Sequence, residues 1–168
     1  VAVECYPGVD ADAVGRDLSR ALQGARAFGT GAAFKPAEEI DRMVAPFLGG
    51  DDPIFGFLNQ TLQLGDFLEP SCTEVLRGAV REAAASGIAV VCGPGASLVA
   101  PDADVLVYAD MPRWEGQLRQ RRGEADNLGA SNRGTPAGLQ YKRSFFVDWR
   151  VADRWKQATM EKWDYLLD

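Results

Sequence analysis

The sequence has no histidine. That absence excludes Ser-His-Asp and Cys-His nucleophilic catalysis, and any His-ligated metal site, within this chain. Cysteine is scarce: Cys5, Cys72 and Cys92 are the only three. An odd number without paired short spacings fits neither a disulfide framework nor a zinc site, so no metal site is expected. The three read instead as small buried residues of a reducing compartment, which points to the cytoplasm. No run approaches the ~20 apolar residues of a membrane span, and no secretory signal pattern is present. Lysine is missing before Lys35. The chain begins at Val1 without an initiator methionine and opens directly on a strand pattern, which reads as a fragment of a longer protein.

What is present is an ordinary globular mix, with 46% hydrophobic and 25% charged residues in 168. This length fits one domain with a single sizeable core. The net charge of −6 disfavours a general nucleic-acid coat. Its distribution is uneven. Residues 1–112 carry 7 basic and 16 acidic side chains, whereas residues 113–156 carry 10 basic and 5 acidic. A basic block in an acidic chain marks either a local anion site or a solvated arm.

Apolar runs alternate with amphipathic stretches. Val1–Cys5, Ile88–Cys92 and Asp104–Ala109 read as buried strands, which should be parallel neighbours in the core. Asp10 or Asp12 caps a helix running to about Gln23, with Val14, Leu18, Ala21 and Leu22 on one face. Residues 24–31 form a loop with room for a short strand. Pro36 suits the first turn of a second helix. Residues 49–53 (GGDDP) are a loop. Ser71-Cys72-Thr73-Glu74 matches a capping box, opening a helix to Ser86 that buries Val75, Leu76, Ala79, Val80 and Ala83. A further helix follows Pro112. Residues 123–140, rich in Gly, Asn, Ser and Thr, read as a mobile loop. Ser144–Trp149 reads as a short extended piece, followed by a helix from about Arg150 and then a last turn or final strand over 163–167. Such alternation implies an α/β three-layer sandwich around a parallel sheet of about five strands. Ligands bind such sheets at the carboxyl ends of the strands.

Four features fall at those ends. The first is Glu4-Cys5-Tyr6-Pro7-Gly8-Val9-Asp10, between the first strand and the first helix. A helix N-terminus there offers N–H groups to an anion, making Tyr6 and Gly8 candidate phosphate-binding residues. The sequence G-x-x-x-x-G-K-[ST] is nevertheless absent. The second is Asp51-Asp52, whose carboxylates could act as a base or hold Mg²⁺ through substrate oxygens; a solvated turn is the plainer reading. The third is Gly93-Pro94-Gly95, where backbone can approach a ligand closely, although a simple turn explains it equally. The fourth is the arginine helix, with Arg113, Arg119, Arg121 and Arg122 as candidate phosphate ligands, since guanidinium forks give bidentate bonds. All four tryptophans lie between 114 and 163, where core packing accounts for them better than base stacking.

The order of these elements resembles the nucleoside monophosphate kinase type of P-loop fold, and most of all its uridine kinase branch. Asp51-Asp52-Pro53-Ile54-Phe55 resembles that branch's acidic loop, and Phe67-Leu68-Glu69-Pro70 its F-D-x-P segment. Val90–Gly95 resembles the strand and glycine that carry the Walker B acid. Val107–Pro112, with Glu115 and Arg119 to Arg122, resembles the strand and helix that lead into an arginine lid, here about 113–142. More narrowly, ECYPGVD, DDPIFGF, ADMPRWE and KRSFFVDWR resemble a kinase-like domain in the N-terminal part of bacterial proteins known as class I mannose-6-phosphate isomerases. That resemblance implies a fused or docked isomerase partner. The isomerase chemistry itself needs histidines on zinc and is not expected within this chain.

Two positions depart from the kinase pattern. Tyr6–Asp10 stands where the Walker A Lys and Ser/Thr belong, and Cys92 stands where the Walker B acid belongs. The resemblance therefore implies a single P-loop kinase-like domain with degenerate nucleotide motifs, binding a small phosphorylated sugar or a nucleotide. The alternative is an active sugar or nucleoside phosphotransferase using Mg²⁺ with a nucleotide, in which Asp51 or Asp52 is the base.

Overall fold

A computed structural model describes residues 1–168. The centre is β1 (Ala2–Cys5), buried along its whole length. It pairs in parallel with β3 (Ala89–Gly93) on one side and β4 (Leu106–Ala109) on the other. β2 (Arg26–Gly29) adds outside β3, and β5 (Tyr165–Leu167) outside β4, giving the order β2-β3-β1-β4-β5 with every pair parallel. The three apolar runs are thus the core of the sheet, as their unbroken apolarity requires when both faces are covered.

Strand alternation splits the core into two layers. Val3, Cys5, Val90 and Cys92 face α1 (Ala11–Ala21), which contributes Val14 and Leu18. Ala2, Ala89 and Val91 face α3 (Pro70–Ser86) and the single turn α4 (Ala96–Val99). Above the strand ends, α2 (Ala37–Val44) and α7 (Trp149–Thr159) enclose a third apolar cluster containing Ile40, Phe67, Leu128 and Val147. α5 (Arg113–Arg121) and α6 (Ala137–Arg143) complete the domain. No helix is long and apolar enough to cross a membrane.

Several local expectations change. α3 starts at Pro70 with Glu69 as its N-cap, and Ser71 donates to the Glu69 carboxylate, so no Ser71 capping box forms. Proline at the first helical position sets the start instead. Val75 is exposed; the buried stripe is Thr73, Leu76, Val80 and Ala83. Ser144–Asp148 is not extended. It forms one wide π-turn joining α6 to α7, and buries Ser144, Val147 and Asp148. Aromatic and β-branched side chains in SFFVDW resemble a strand locally, but helical residues on both sides propagate through them.

The 123–140 stretch is also more than a bare loop. Asn127 Nδ2 donates to Gln140 O (3.0 Å), Ser144 Oγ (2.9 Å) and Asp148 Oδ2 (2.6 Å). Asp148 is fully buried and also accepts from Leu128 N; Arg143 Nε lies 3.6 Å from its other oxygen. The π-turn thus presents the polar groups that hold residues 124–133 over the strand ends. Hydrogen bonds to a charged group contribute about 1.5–3 kcal/mol. Asn127→Ala should therefore lose roughly 2–3 kcal/mol in chemical denaturation. Amide exchange should speed up first in residues 124–133 while β1 and β3 stay protected. An unchanged denaturation midpoint would contradict this role.

Candidate functional site

The loop after β1 is built by three contacts. Tyr6 donates its hydroxyl to Asp153 Oδ1 (2.9 Å) and accepts from Arg113 Nε (3.4 Å). Gly8 has φ +104°, and a Cβ there would lie 3.2 Å from Gly116 Cα, so only glycine lets α5 pack this closely. Arg119 Nη1 donates to Gly8 O at 3.0 Å. At the end of the loop, the Asp10 carboxylate accepts from Ala13 N (2.9 Å) and caps α1. Asp12 adds a second negative charge in the first turn. A helix N-terminus attracts anions through its free N–H groups and dipole. Here the protein's own carboxylates supply that anion.

On the neighbouring strand, Gly93 has φ +132°, and a Cβ would overlap Thr30 Oγ1. Gly95 turns the chain into α4 with φ +85°. The Gly95 N–H donates to Glu4 Oε1 (2.6 Å), while Ser97 N (3.1 Å) and Ser97 Oγ (2.6 Å) donate to Glu4 Oε2. Trp155 Nε1 in turn donates to Ser97 Oγ at 3.3 Å. Glu4 is only 1% exposed. Burial raises its pKa above the ordinary carboxylate range, against the opposing pull of its hydrogen bonds. Burial also pushes the Cys92 thiol up to about 11, so it remains protonated at neutral pH.

These loops surround a cleft of about 430 Å³ at the carboxyl ends of β1, β2 and β3. Tyr6, Gly8, Asp10 and Asp12 line one wall; Thr30, Phe34 and Lys35 line another. Cys92 and Gly93 form part of the lining, and residues 124–131 with Arg133 cover it. Its two cations are held only by surface pairs: Lys35 with Glu39 (3.0 Å) and Arg133 with Asp126 (2.8 Å).

The structure thus brings Tyr6, Gly8 and Gly93 together in one cleft, and Gly95 supports it from behind through Glu4. The other candidates lie outside its walls. Arg113 pairs with Asp153 and sits 5.3 Å above the Trp149 ring. Arg119 binds Gly8 O and Glu115; Arg122 binds Glu115 and Glu124. Arg121 lies 5.8 Å from the Trp114 ring centre. The arginine helix therefore braces the β1–α1 loop. Asp51 and Asp52 are exposed, and Asp52 Oδ1 accepts from Ile54 N and Phe55 N in a local turn that keeps its pKa low. This geometry supplies no motive for either as a base. Sequence reasoning placed Glu4 in the loop after the first strand but gave it no role, and did not single out Thr30, Lys35, Asn127 or Arg133. Only Lys35 carried a signal, as the first lysine of the chain.

A family model described as "Domain of unknown function (DUF8485)" matches residues 1–168. The chain belongs to this family. No curated protein matches it. Among solved structures, the DUF8485 domain is similar to one described as a "putative fructose transport system kinase" from Silicibacter sp. TM1040. The TM-score is 0.56 and the sequence identity 13%, covering 100% of this chain and 88% of the other. At that identity the likeness carries the fold alone, and the fold is P-loop kinase-like. Kinship with mannose-6-phosphate isomerases draws no support from these comparisons.

The Glu4 environment predicts a pH dependence. Because the folded pKa is raised above the unfolded value, the folded protein holds its proton longer. Stability should fall as pH rises from about 4.5, the ordinary glutamate value, towards the folded pKa. Glu4→Gln, followed by denaturation across this range, should show a shallower decline. Identical slopes in both proteins would contradict it.

Proposed function

We propose that the DUF8485 domain binds a small phosphorylated sugar in the 430 Å³ cleft and does not transfer phosphate from a nucleotide held at the β1–α1 loop. The observation that carries this reading is the Asp10 carboxylate on the N-terminus of α1. A triphosphate placed there would meet Asp10 and Asp12 instead of a lysine and free N–H groups. In P-loop enzymes that lysine and Mg²⁺ neutralise the β- and γ-phosphates. Here the loop has no lysine and the Walker B-like position holds a protonated thiol.

The cleft retains cations elsewhere. Exposed ion pairs are worth about 0–1 kcal/mol, so a phosphate can displace Glu39 from Lys35 and Asp126 from Arg133 at little cost. Charge-assisted bonds to the phosphate would be stronger than the pairs they replace. The fructose named for the structural neighbour makes hexose phosphates the natural first probes.

Isothermal titration with a hexose 6-phosphate tests the reading. Binding should be measurable without Mg²⁺, and MgATP should bind far more weakly. Lys35→Ala and Arg133→Ala should each weaken the sugar phosphate by about 10–100-fold, the range for hydrogen bonds to charged groups. The unphosphorylated hexose should be nearly indifferent to both changes. Tight MgATP binding with no response to any sugar phosphate would overturn the proposal.

A further inference from the structure

The cleft makes no use of an exposed apolar ridge over residues 53–58. Pro53–Leu58 has no regular secondary structure, yet its backbone is pinned at both ends. Asp52 Oδ1 accepts from Ile54 N and Phe55 N, and Lys142 Nζ donates to Asp52 O. Phe57 N donates to Phe47 O (2.8 Å), and Asn59 N to Phe146 O (2.8 Å). Gly56 is wedged so tightly that a Cβ would lie 2.5 Å from Phe47 O and 2.9 Å from the Phe146 ring. This fixed backbone turns the large side chains outward: Ile54 is 68% exposed, Phe55 70% and Phe57 67%. Leu58 is exposed next to them, and Phe145 is partly exposed on the π-turn, packed edge-on against Phe146. Exposed apolar patches on this scale mark interaction surfaces.

The ridge has a direction. It starts at Asp52 against Lys142, passes Phe146 at Gly56, and ends at Asn59, whose carbonyl accepts from Arg154 Nη1 (3.0 Å). It therefore runs alongside the α6–α7 helical stretch. Its first end carries the exposed carboxylates Asp51 and Asp52. On the side of that end, one helical turn before Arg154, lies half-buried Arg150, whose guanidinium sits 5.4 Å over the Phe145 ring. An apolar strip with acid at one end and base at the other is complementary to itself when turned end for end. An anionic membrane would be repelled by Asp51 and Asp52.

We propose that this ridge is the interface of a homodimer. Two copies pack antiparallel about a two-fold axis, so that Asp51 and Asp52 of one face Arg150 of the other. Isologous contacts of this kind are the commonest route to dimers. The exposed aromatic and aliphatic side chains offer roughly 400–500 Å² of apolar area per copy. With a polar rim, that approaches the ~800 Å² per partner of a standard interface.

Sedimentation equilibrium over a concentration series tests the proposal. The wild-type mass should double with rising concentration. Phe57→Glu should weaken self-association by about 30-fold or more, as expected for a central aromatic anchor, with an unchanged circular dichroism spectrum. Ile54→Asp provides a second disruption at another point of the ridge. Asp51→Arg should also weaken the dimer, and adding Arg150→Asp in the same chain should restore it. A wild-type protein that stays monomeric throughout would overturn the proposal. So would a dimer indifferent to Phe57→Glu and Ile54→Asp, or a folded double charge swap that fails to recover.

Discussion

The carboxylate of Glu4 is the constraint from which the site geometry follows. It projects from the central strand into the layer between sheet and helices, where an ionised group is costly to bury without partners. Three donors from the turn after β3 meet it: Gly95 N, Ser97 N and Ser97 Oγ. The bonds hold two adjacent strand-to-helix turns in fixed relation. Gly93 can then adopt its left-handed backbone against Thr30, and Trp155 of α7 docks on Ser97. The cleft walls therefore inherit their positions from one buried acid. A buried donor or acceptor left without its partner is costly, so this arrangement resists drift.

The fold keeps the kinase framework while its electrostatics differ at the position where phosphate binds in P-loop enzymes. Asp10 caps α1, Arg119 is spent on the Gly8 carbonyl, and Arg113 is tied to Tyr6 and Asp153. Each interaction stabilises the loop; each also engages a group that a nucleotide would need. The cations left near the cleft, Lys35 and Arg133, sit on different walls from the β1–α1 loop and are held by weak surface pairs. This redistribution is why our reading favours ligand recognition over transfer.

Much of the sheet was legible in the sequence because continuous apolarity has few solutions. Val1–Cys5, Ile88–Cys92 and Asp104–Ala109 could be satisfied only between two covered faces. The family-like order of motifs then fixed the topology. The site was less legible. Glu4 lies inside an apolar strand, and its partners are more than ninety residues away, so no local pattern announces it. The arginines of α5 look like an anion cluster until their partners, Glu115, Asp153 and Gly8 O, are brought beside them by folding. Residues 123–140 have loop composition, and their anchoring depends on Asp148 of a π-turn whose sequence favours a strand locally. Propensity in such segments yields to tertiary hydrogen bonding.

The central claim is that ligand binds between the Thr30–Lys35 wall and the covering residues 124–133, and leaves the α1 N-terminus to Asp10. Amide chemical-shift mapping of the ¹⁵N-labelled domain with a hexose 6-phosphate tests it most directly. The account predicts the largest changes at Thr30, Lys35, Gly129 and Arg133, with Gly8, Ala11 and Ala13 nearly still. Changes concentrated at Gly8 and Ala11–Ala13 would contradict it, because they would place the phosphate where the carboxylate of Asp10 now sits.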